Sequence, residues 1–387
     1  MSKNILICLD GTKNEVKAKA VTNVFKIAEV ADLENPEEQV LYYDPGVGTK
    51  PAASAFTGFA QRFSLLGGMA LGWGMRDDIG EAYTYLMNTW EPGDKVFIFG
   101  FSRGAFTARA LCGMLYRVGL LRPGSENLVP YAVRAYARKP GKDSDLNREE
   151  GWDRIDKFSK ALAIRPHDGR PSFLIEYLGI FDTVKTLKLF GPDVRWPYTR
   201  SLPNVAYIRH AISIDENRRL YPEYRVSPDQ KSKYSKGFEE MWFAGVHSDV
   251  GGGFFDNPEL GLISMRWILD GAIKRGLKVN KRKYDNRYAK LGDTDACADM
   301  HSTGKLWRFA QAPWHWVFKP WRTRPIPDGA TVHRSVEIRR SRTDLGYRPK
   351  LPADYQVSDE AWTGPAPAPD PAPAPESASA PEDDGNQ

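Results

Sequence analysis

Three side chains far apart in the sequence have the types and the order needed for nucleophilic acyl transfer. Ser102 sits in Gly100-Phe-Ser102-Arg-Gly104. Before it runs the apolar stretch Val96–Phe99, and after it a helix-forming run through Ala105, Ala108, Ala110 and Leu111. A G-x-S-x-G between a strand and a helix is the setting of a nucleophile elbow, a tight turn that lifts the hydroxyl clear of the sheet. Glycines on both sides spare the crossing strand and helix a Cβ clash. A serine hydroxyl attacks a carbonyl only when a base takes its proton, and the base needs a carboxylate to fix its tautomer. Asp182 closes the strand-like FLIEYLGIFD and His247 follows EMWFAGV, giving the order serine, acid, histidine. The run Ser248-Asp249-Val-Gly251-Gly-Gly253 after His247 reads as a flexible loop that would let the imidazole swing. His210 lies inside a strand run and reads as a hydrogen-bonded core histidine. His333, before Arg334-Ser335, and His167, His301 and His315 are the remaining alternatives.

The same reaction needs donors for the developing oxyanion. The backbone N–H of Arg103 is the first candidate, and the loop Gly11-Thr12 after the first strand supplies the second. Asp10, at that strand's end, and Arg109, on the elbow helix, are candidate substrate contacts. The alternative for the arginines is salt bridging to nearby acids. Two rival sites fare worse. Asp10-Gly11-Thr12 has the shape of an aspartyl-phosphatase loop, but Cys8 stands where the nucleophilic aspartate belongs. His247-x-Asp249, with Asp182 or Asp10, has oxygen and nitrogen ligands for a metal but no second nearby histidine. The serine chemistry calls for no metal and no organic cofactor.

These residues must be positioned by a sheet. Asn4–Leu9 and Gln39–Tyr43 read as strands, as do Phe173–Phe181, Val205–Ile214 and Glu240–Val246, with Val332–Ile338 one more. Helical spacing covers Val21–Leu33, with Thr22 or Asn23 as cap, then Asp77–Trp90 and Leu260–Arg275. The alternation predicts an α/β fold with a mostly parallel, doubly wound sheet, whose chemistry gathers at the carboxyl ends of its strands. Asp10, Ser102, Asp182 and His247 all fall at such ends. Pro51–Gly74, rich in glycine and aromatics, reads as a flap. Ser125–Pro171 is polar and interrupted, predicting a helical cap insertion over about 120–171 rather than core. Thr363–Gln387, Pro/Ala-rich and acidic, reads as a disordered tail. The whole makes one domain over 1–362 followed by the tail at 363–387.

The net charge of +5 hides an asymmetry, because the tail carries five acids and no base. Between Arg266 and Lys350 there are twenty Lys/Arg against eight Asp/Glu, with Trp307, Trp314, Trp316 and Trp321 among them. Basic residues among tryptophans suit an anionic surface, whereas the plainer reading is a solvated face over a tryptophan-bearing core. Three scattered cysteines, Cys8, Cys112 and Cys297, form neither a disulfide framework nor a metal cage. No stretch reaches the length of a membrane span, and MSKNILICLDGT enters a strand without a signal-peptide core. A cytoplasmic protein, or one exported without a cleaved signal, is the expectation.

Six ordered blocks carry a family resemblance: Asp10–Asn14, Asp44–Thr49, Gly100–Arg109, Leu178–Val184, His210–Glu216 and Trp242–Gly252, with a later one at His333–Val336. Over about Lys3 to Gly276 the chain resembles the α/β-hydrolase domain of type VI secretion phospholipase effectors, lipase effector family one. That resemblance implies a Ser-Asp-His triad falling on Ser102, Asp182 and His247. It also implies hydrolysis of glycerophospholipid acyl esters, with a phospholipid or other ester as substrate. Contact with a membrane surface, the secretion machinery and an immunity protein are the further partners it suggests; nucleic acid is not expected. The basic, Trp-rich segment at about 277–350 and the tail map onto no part of the family pattern. The alternatives are a hydrolase of soluble carboxylic esters and a non-catalytic protein binding membrane or nucleic acid on a hydrolase fold.

Overall fold

The structure, a computed structural model, describes residues 2–11, 21–46, 68–137, 145–164, 173–184, 196–218, 221–227, 236–302, 323–360 and 362. Its centre is an eight-stranded sheet. The strands are β1 (Asn4–Leu9), β2 (Gln39–Asp44), β3 (Lys95–Phe101), β6 (Ile175–Phe181), β7 (Val205–Ser213), β8 (Gly237–Phe243), β9 (Ala330–His333) and β10 (Tyr355–Ser358). A separate antiparallel pair, β4 (Leu120–Leu121) and β5 (Ala163–Ile164), clasps the two ends of the intervening segment. The order across the sheet is β10-β9-β8-β7-β6-β3-β1-β2, and every neighbouring pair runs parallel.

The strand sequences show why. A parallel sheet is covered on both faces, so its strands are apolar on both sides. Along β1, Ile5, Ile7 and Leu9 face one core while Leu6 and Cys8 face the other. Along β3, Val96 and Ile98 join the first core and Phe97, Phe99 and Phe101 the second, the two-residue alternation of a pleated strand. The first face is covered by α2 (Gly68–Thr89), α3 (Arg103–Arg117) and α4 (Val129–Tyr136), with α5 (Asp145–Leu162) outside them. The second is covered by α1 (Asn23–Val30) and α7 (Glu259–Lys274). The short α6 (His247–Gly251) leads into α7, and α8 (Lys281–Arg287), α9 (Asp293–Ala296) and α10 (Arg334–Ser341) are the other α-helices among the described residues. Because β2 lies on one side of β1 and β3 on the other, the sheet has its switch point between β1 and β3, the place where open α/β sheets ordinarily bind ligands at the carboxyl ends of their strands.

Three expectations about elements change. Val332–Ile338 is a strand only to His333; the His333 ring then accepts from the Ser335 N–H and caps α10. The segment read as a cap insertion contributes core: Val129, Ala132, Val133 and Tyr136 of α4 are buried against α2 and α3. In the expected flap, residues 68–74 open the long helix α2, while 51–67 lie outside the described residues, as does the tail 363–387. Among the described residues no helix is long and apolar enough to cross a membrane.

Candidate active site

Ser102 follows β3 with φ 57° and ψ −120°, a left-handed conformation that costs a non-glycine residue about 1–3 kcal/mol. Its neighbours explain how the turn closes. A Cβ on Gly100 would lie 2.7 Å from the Ala105 Cα, and one on Gly104 would lie 2.2 Å from the Leu9 carbonyl oxygen. The turn is braced against β6: Ser102 N–H donates to the Phe181 carbonyl at 3.0 Å, and Val184 N–H to the Ser102 carbonyl at 3.3 Å. A serine ahead of a helix ordinarily caps it with its side chain. Ser102 makes no such bond to α3. Its Oγ instead lies 2.8 Å from Nε2 of His247.

The other ring nitrogen, Nδ1 of His247, is 2.5 Å from Oδ2 of Asp182. His247 opens α6 and is 4 % exposed. Its ring packs against Phe101 with centroids 4.7 Å apart and meets the Tyr221 ring edge-on at 5.1 Å. Its backbone N–H donates to Glu216 Oε2 at 3.3 Å. The expectation of a swinging loop is therefore wrong for this histidine. A Cβ on Gly251 would fall 1.9 Å from the Phe101 ring, and one on Gly252 2.6 Å from the Asn23 nitrogen. These glycines permit close packing that fixes the imidazole.

Asp182 ends β6 with φ 36°, its own N–H bonded to the Ala211 carbonyl of β7. Its Oδ1 accepts from the Ser213 N–H at 3.0 Å and from Nη1 of Arg324 at 2.5 Å; Nη2 of Arg324 reaches Oδ2 at 3.0 Å. Burial alone would raise the Asp182 pKa. The Arg324 charge and the hydrogen bonds from His247 and Arg324 outweigh it, holding the carboxyl well below the usual carboxylate range. Glu216, beside the His247 backbone, is likewise buried yet held low, here by Arg218, which bonds both its oxygens at 2.8 and 2.7 Å. Arg324 was not singled out in the sequence; it is one cation among twenty in a stretch read as surface.

The remaining expectations divide. The backbone N–H of Arg103, first in α3, stands beside Ser102 and has no acceptor among the described residues. The Gly11 N–H has one: it donates to Oδ1 of its neighbour Asp10 at 2.6 Å, so it is not free to meet an oxyanion in this arrangement. Thr12 lies outside the described residues. Asp10 is 2 % exposed, its Oδ2 accepting from Thr22 Oγ1 at 2.5 Å and the Tyr43 hydroxyl at 2.8 Å. That makes it a tie between the ends of β1, β2 and α1 rather than a substrate contact. Arg109 is fully buried two turns along α3, bonding the Thr199 carbonyl at 3.3 Å, and burial pushes its pKa down to about 10 despite Glu240. Its guanidinium also lies over the Tyr224 ring, 5.3 Å from the centroid. His210, fully buried, faces Glu240 at 2.8 Å and Thr183 Oγ1 at 3.2 Å, as a core histidine should. His333 is also buried, pushed down to about 4 by desolvation. His301 pairs with Asp249 at 2.6 Å, and His167 and His315 lie outside the described residues. Trp307, Trp314, Trp316 and Trp321 do as well. Among the described residues no group of three or more His, Cys, Asp or Glu could hold a metal.

Residues 3–271 match the family model described as type VI secretion phospholipase effector Tle1-like, catalytic domain. The chain belongs to this family. A curated relative, the uncharacterized protein YEL023C of Saccharomyces cerevisiae, is 33% identical over 232 residues, which is 58% of this chain and 33% of that protein. Among solved structures, the Tle1 effector bound to the VgrG spike of the type 6 secretion system aligns at 17% identity and TM-score 0.37, over 65% of this chain and 51% of that one. An uncharacterized protein from Pseudomonas aeruginosa aligns at 19% identity and TM-score 0.37, over 69% and 45%. The chain thus spans a third of the yeast relative's length and about half of each solved structure. With its parallel sheet and serine elbow, the fold is α/β-hydrolase-like.

Proposed function

We propose that this Tle1-like domain is a serine esterase that removes acyl chains from glycerophospholipids, a phospholipase A-type reaction. The reading rests on one observation: a strained elbow serine 2.8 Å from a histidine Nε2 whose Nδ1 is 2.5 Å from a buried carboxylate. Ser102 Oγ attacks the ester carbonyl while its proton passes to His247 Nε2. Asp182 holds the Nδ1–H and steadies the imidazolium. The Arg103 N–H, with the helix dipole of α3 behind it, faces the oxygen that gains charge. His247 then protonates the departing alcohol, releasing the lysophospholipid. Water, deprotonated by the same nitrogen, frees the fatty acid and restores Ser102. Membership of a phospholipase-effector family supports the lipid substrate.

A fluorophosphonate probe tests the nucleophile. Wild-type protein takes the label and Ser102→Ala does not; labelling that persists in the variant refutes the assignment. Liposomes of phosphatidylcholine and phosphatidylglycerol test the substrate. Fatty-acid release from them supports the lipid reading, whereas turnover of soluble esters alone makes the domain a soluble-ester hydrolase.

A further inference from the structure

Arg324 lies 142 residues from Asp182 in sequence and beyond residues 3–271, the part the family model matches. It is 2 % exposed and makes four hydrogen bonds with its two Nη atoms. Two go to the Asp182 carboxylate, one to the Ser213 carbonyl at 3.0 Å and one to the Tyr221 carbonyl at 2.9 Å. The fork therefore ties the end of β6 to the end of β7 and to the turn whose tyrosine walls the His247 ring. We propose that Arg324 is a positioning residue of this centre, fixing the plane of the Asp182 carboxylate so that Oδ2 meets His247 Nδ1 and offsetting its charge. The proposal rests on the reading of Ser102, His247 and Asp182 as the reacting relay.

The charges around His247 come from several elements. Asp182 at the end of β6 is matched by Arg324, and Glu216 after β7 by Arg218, whose guanidinium also lies 3.8 Å over the Tyr221 ring. Ser102 faces Nε2 from the elbow, and Asp249, on the same helix as His247, is paired with His301. Asp182 and Glu216 thus each have a cation of their own. Arg324 accordingly has two separable effects. Its two-pronged geometry holds the carboxylate in plane, which a lysine ammonium cannot do. Its charge opposes the imidazolium that forms on His247 during the reaction.

The test compares Arg324→Lys and Arg324→Gln in the full chain, reading kcat and KM separately on a soluble ester alongside melting curves. The glutamine variant should lose activity on the order of a hundredfold through misplacement of the relay. The lysine variant, which keeps the charge but not the fork, should lose kcat with KM unchanged. If Arg324→Gln fails to fold, the kcat and KM of Arg324→Lys decide for or against the fork. Wild-type kcat in the lysine variant overturns the proposal, and so does a glutamine variant whose lost activity is all in KM. Failure of the underlying reading shows separately, as an unlabelled wild type or an active Ser102→Ala.

Discussion

Replacing Asp182 with asparagine should damage stability and catalysis together, by amounts the surroundings set. The carboxylate receives two bonds from Arg324, one from His247 and one from the Ser213 N–H, and is 1 % exposed. Asparagine has one acceptor oxygen where two were used, and its amide hydrogens must face a guanidinium or an imidazole N–H. Arg324 is left as a buried cation without its carboxylate. Breaking such a pair from one side costs about 3–5 kcal/mol, a large share of the roughly 5–15 kcal/mol that holds a domain folded. For a chain of this size the loss corresponds to a melting temperature about 5 °C lower. In catalysis the asparagine cannot hold the Nδ1–H tautomer, and kcat/KM should fall on the order of 10⁴-fold.

The pH dependence has a definite sign. Asp182 is held below its unfolded value, chiefly by Arg324 and His247 against the burial that would raise it. Its stabilising contribution is therefore complete above about pH 4 and is lost as the pH drops towards its folded value. The gap in melting temperature between wild type and Asp182→Asn should be full at pH 7 and narrow in acid. A double variant, Asp182→Leu with Arg324→Met, removes both charges and should regain much of the stability that the single variant loses, while staying inactive. Scanning calorimetry and a soluble-ester assay read both quantities. An Asp182→Asn protein that melts like wild type, or a double variant no more stable than the single, refutes the pairing argument.

Gly104→Ala should disable the elbow without changing any polar side chain. The added Cβ lies 2.2 Å from the Leu9 carbonyl oxygen and 2.4 Å from that of Asp10, which are backbone atoms that cannot rotate away. Helix α3 must retreat by roughly 1 Å, costing about 1–3 kcal/mol and on the order of a hundredfold in probe-labelling rate; unchanged labelling kinetics would contradict the packing. Asp215→Asn should act in the other direction. Burial raises the Asp215 carboxyl to about 6 despite hydrogen bonds from the Gly245 N–H and the Tyr347 hydroxyl. The native carboxyl thus favours the neutral form, and its contribution is lost as the pH rises through about 6. Both donors converge on Oδ2, at 2.7 and 2.8 Å, so an amide oxygen can replace it. The variant should melt roughly 2–3 °C above wild type at pH 8 and level with it near pH 4.5; a lower melting temperature at both would show that the carboxylate is needed ionised.

Which features were legible in the sequence follows from how far apart their causes lie along the chain. The strands at 4–9, 95–101 and 175–181 announce themselves because a parallel sheet demands apolar residues on both faces, a requirement each strand meets by itself. The elbow is equally local: the residues that make it tight, Gly100 and Gly104, flank the serine it presents. Errors begin where one segment's role is set by another. Gly251 and Gly252 look like a flexible run until Phe101 and Asn23 occupy the space their side chains would fill. Gly11 looks like an oxyanion donor until Asp10, drawn by Thr22 and Tyr43, claims its N–H. Arg324 is the extreme case. Nothing near it in sequence sets it apart from other cations of a basic stretch, and only the sheet order, with β6, β7 and β8 side by side, creates the buried carboxylate that needs it. Local patterning therefore specifies where Ser102, Asp182 and His247 stand at their strand ends. The orientation of the Asp182 carboxylate is a property of the assembled sheet, and the guanidinium bonded to it comes from outside the matched residues 3–271.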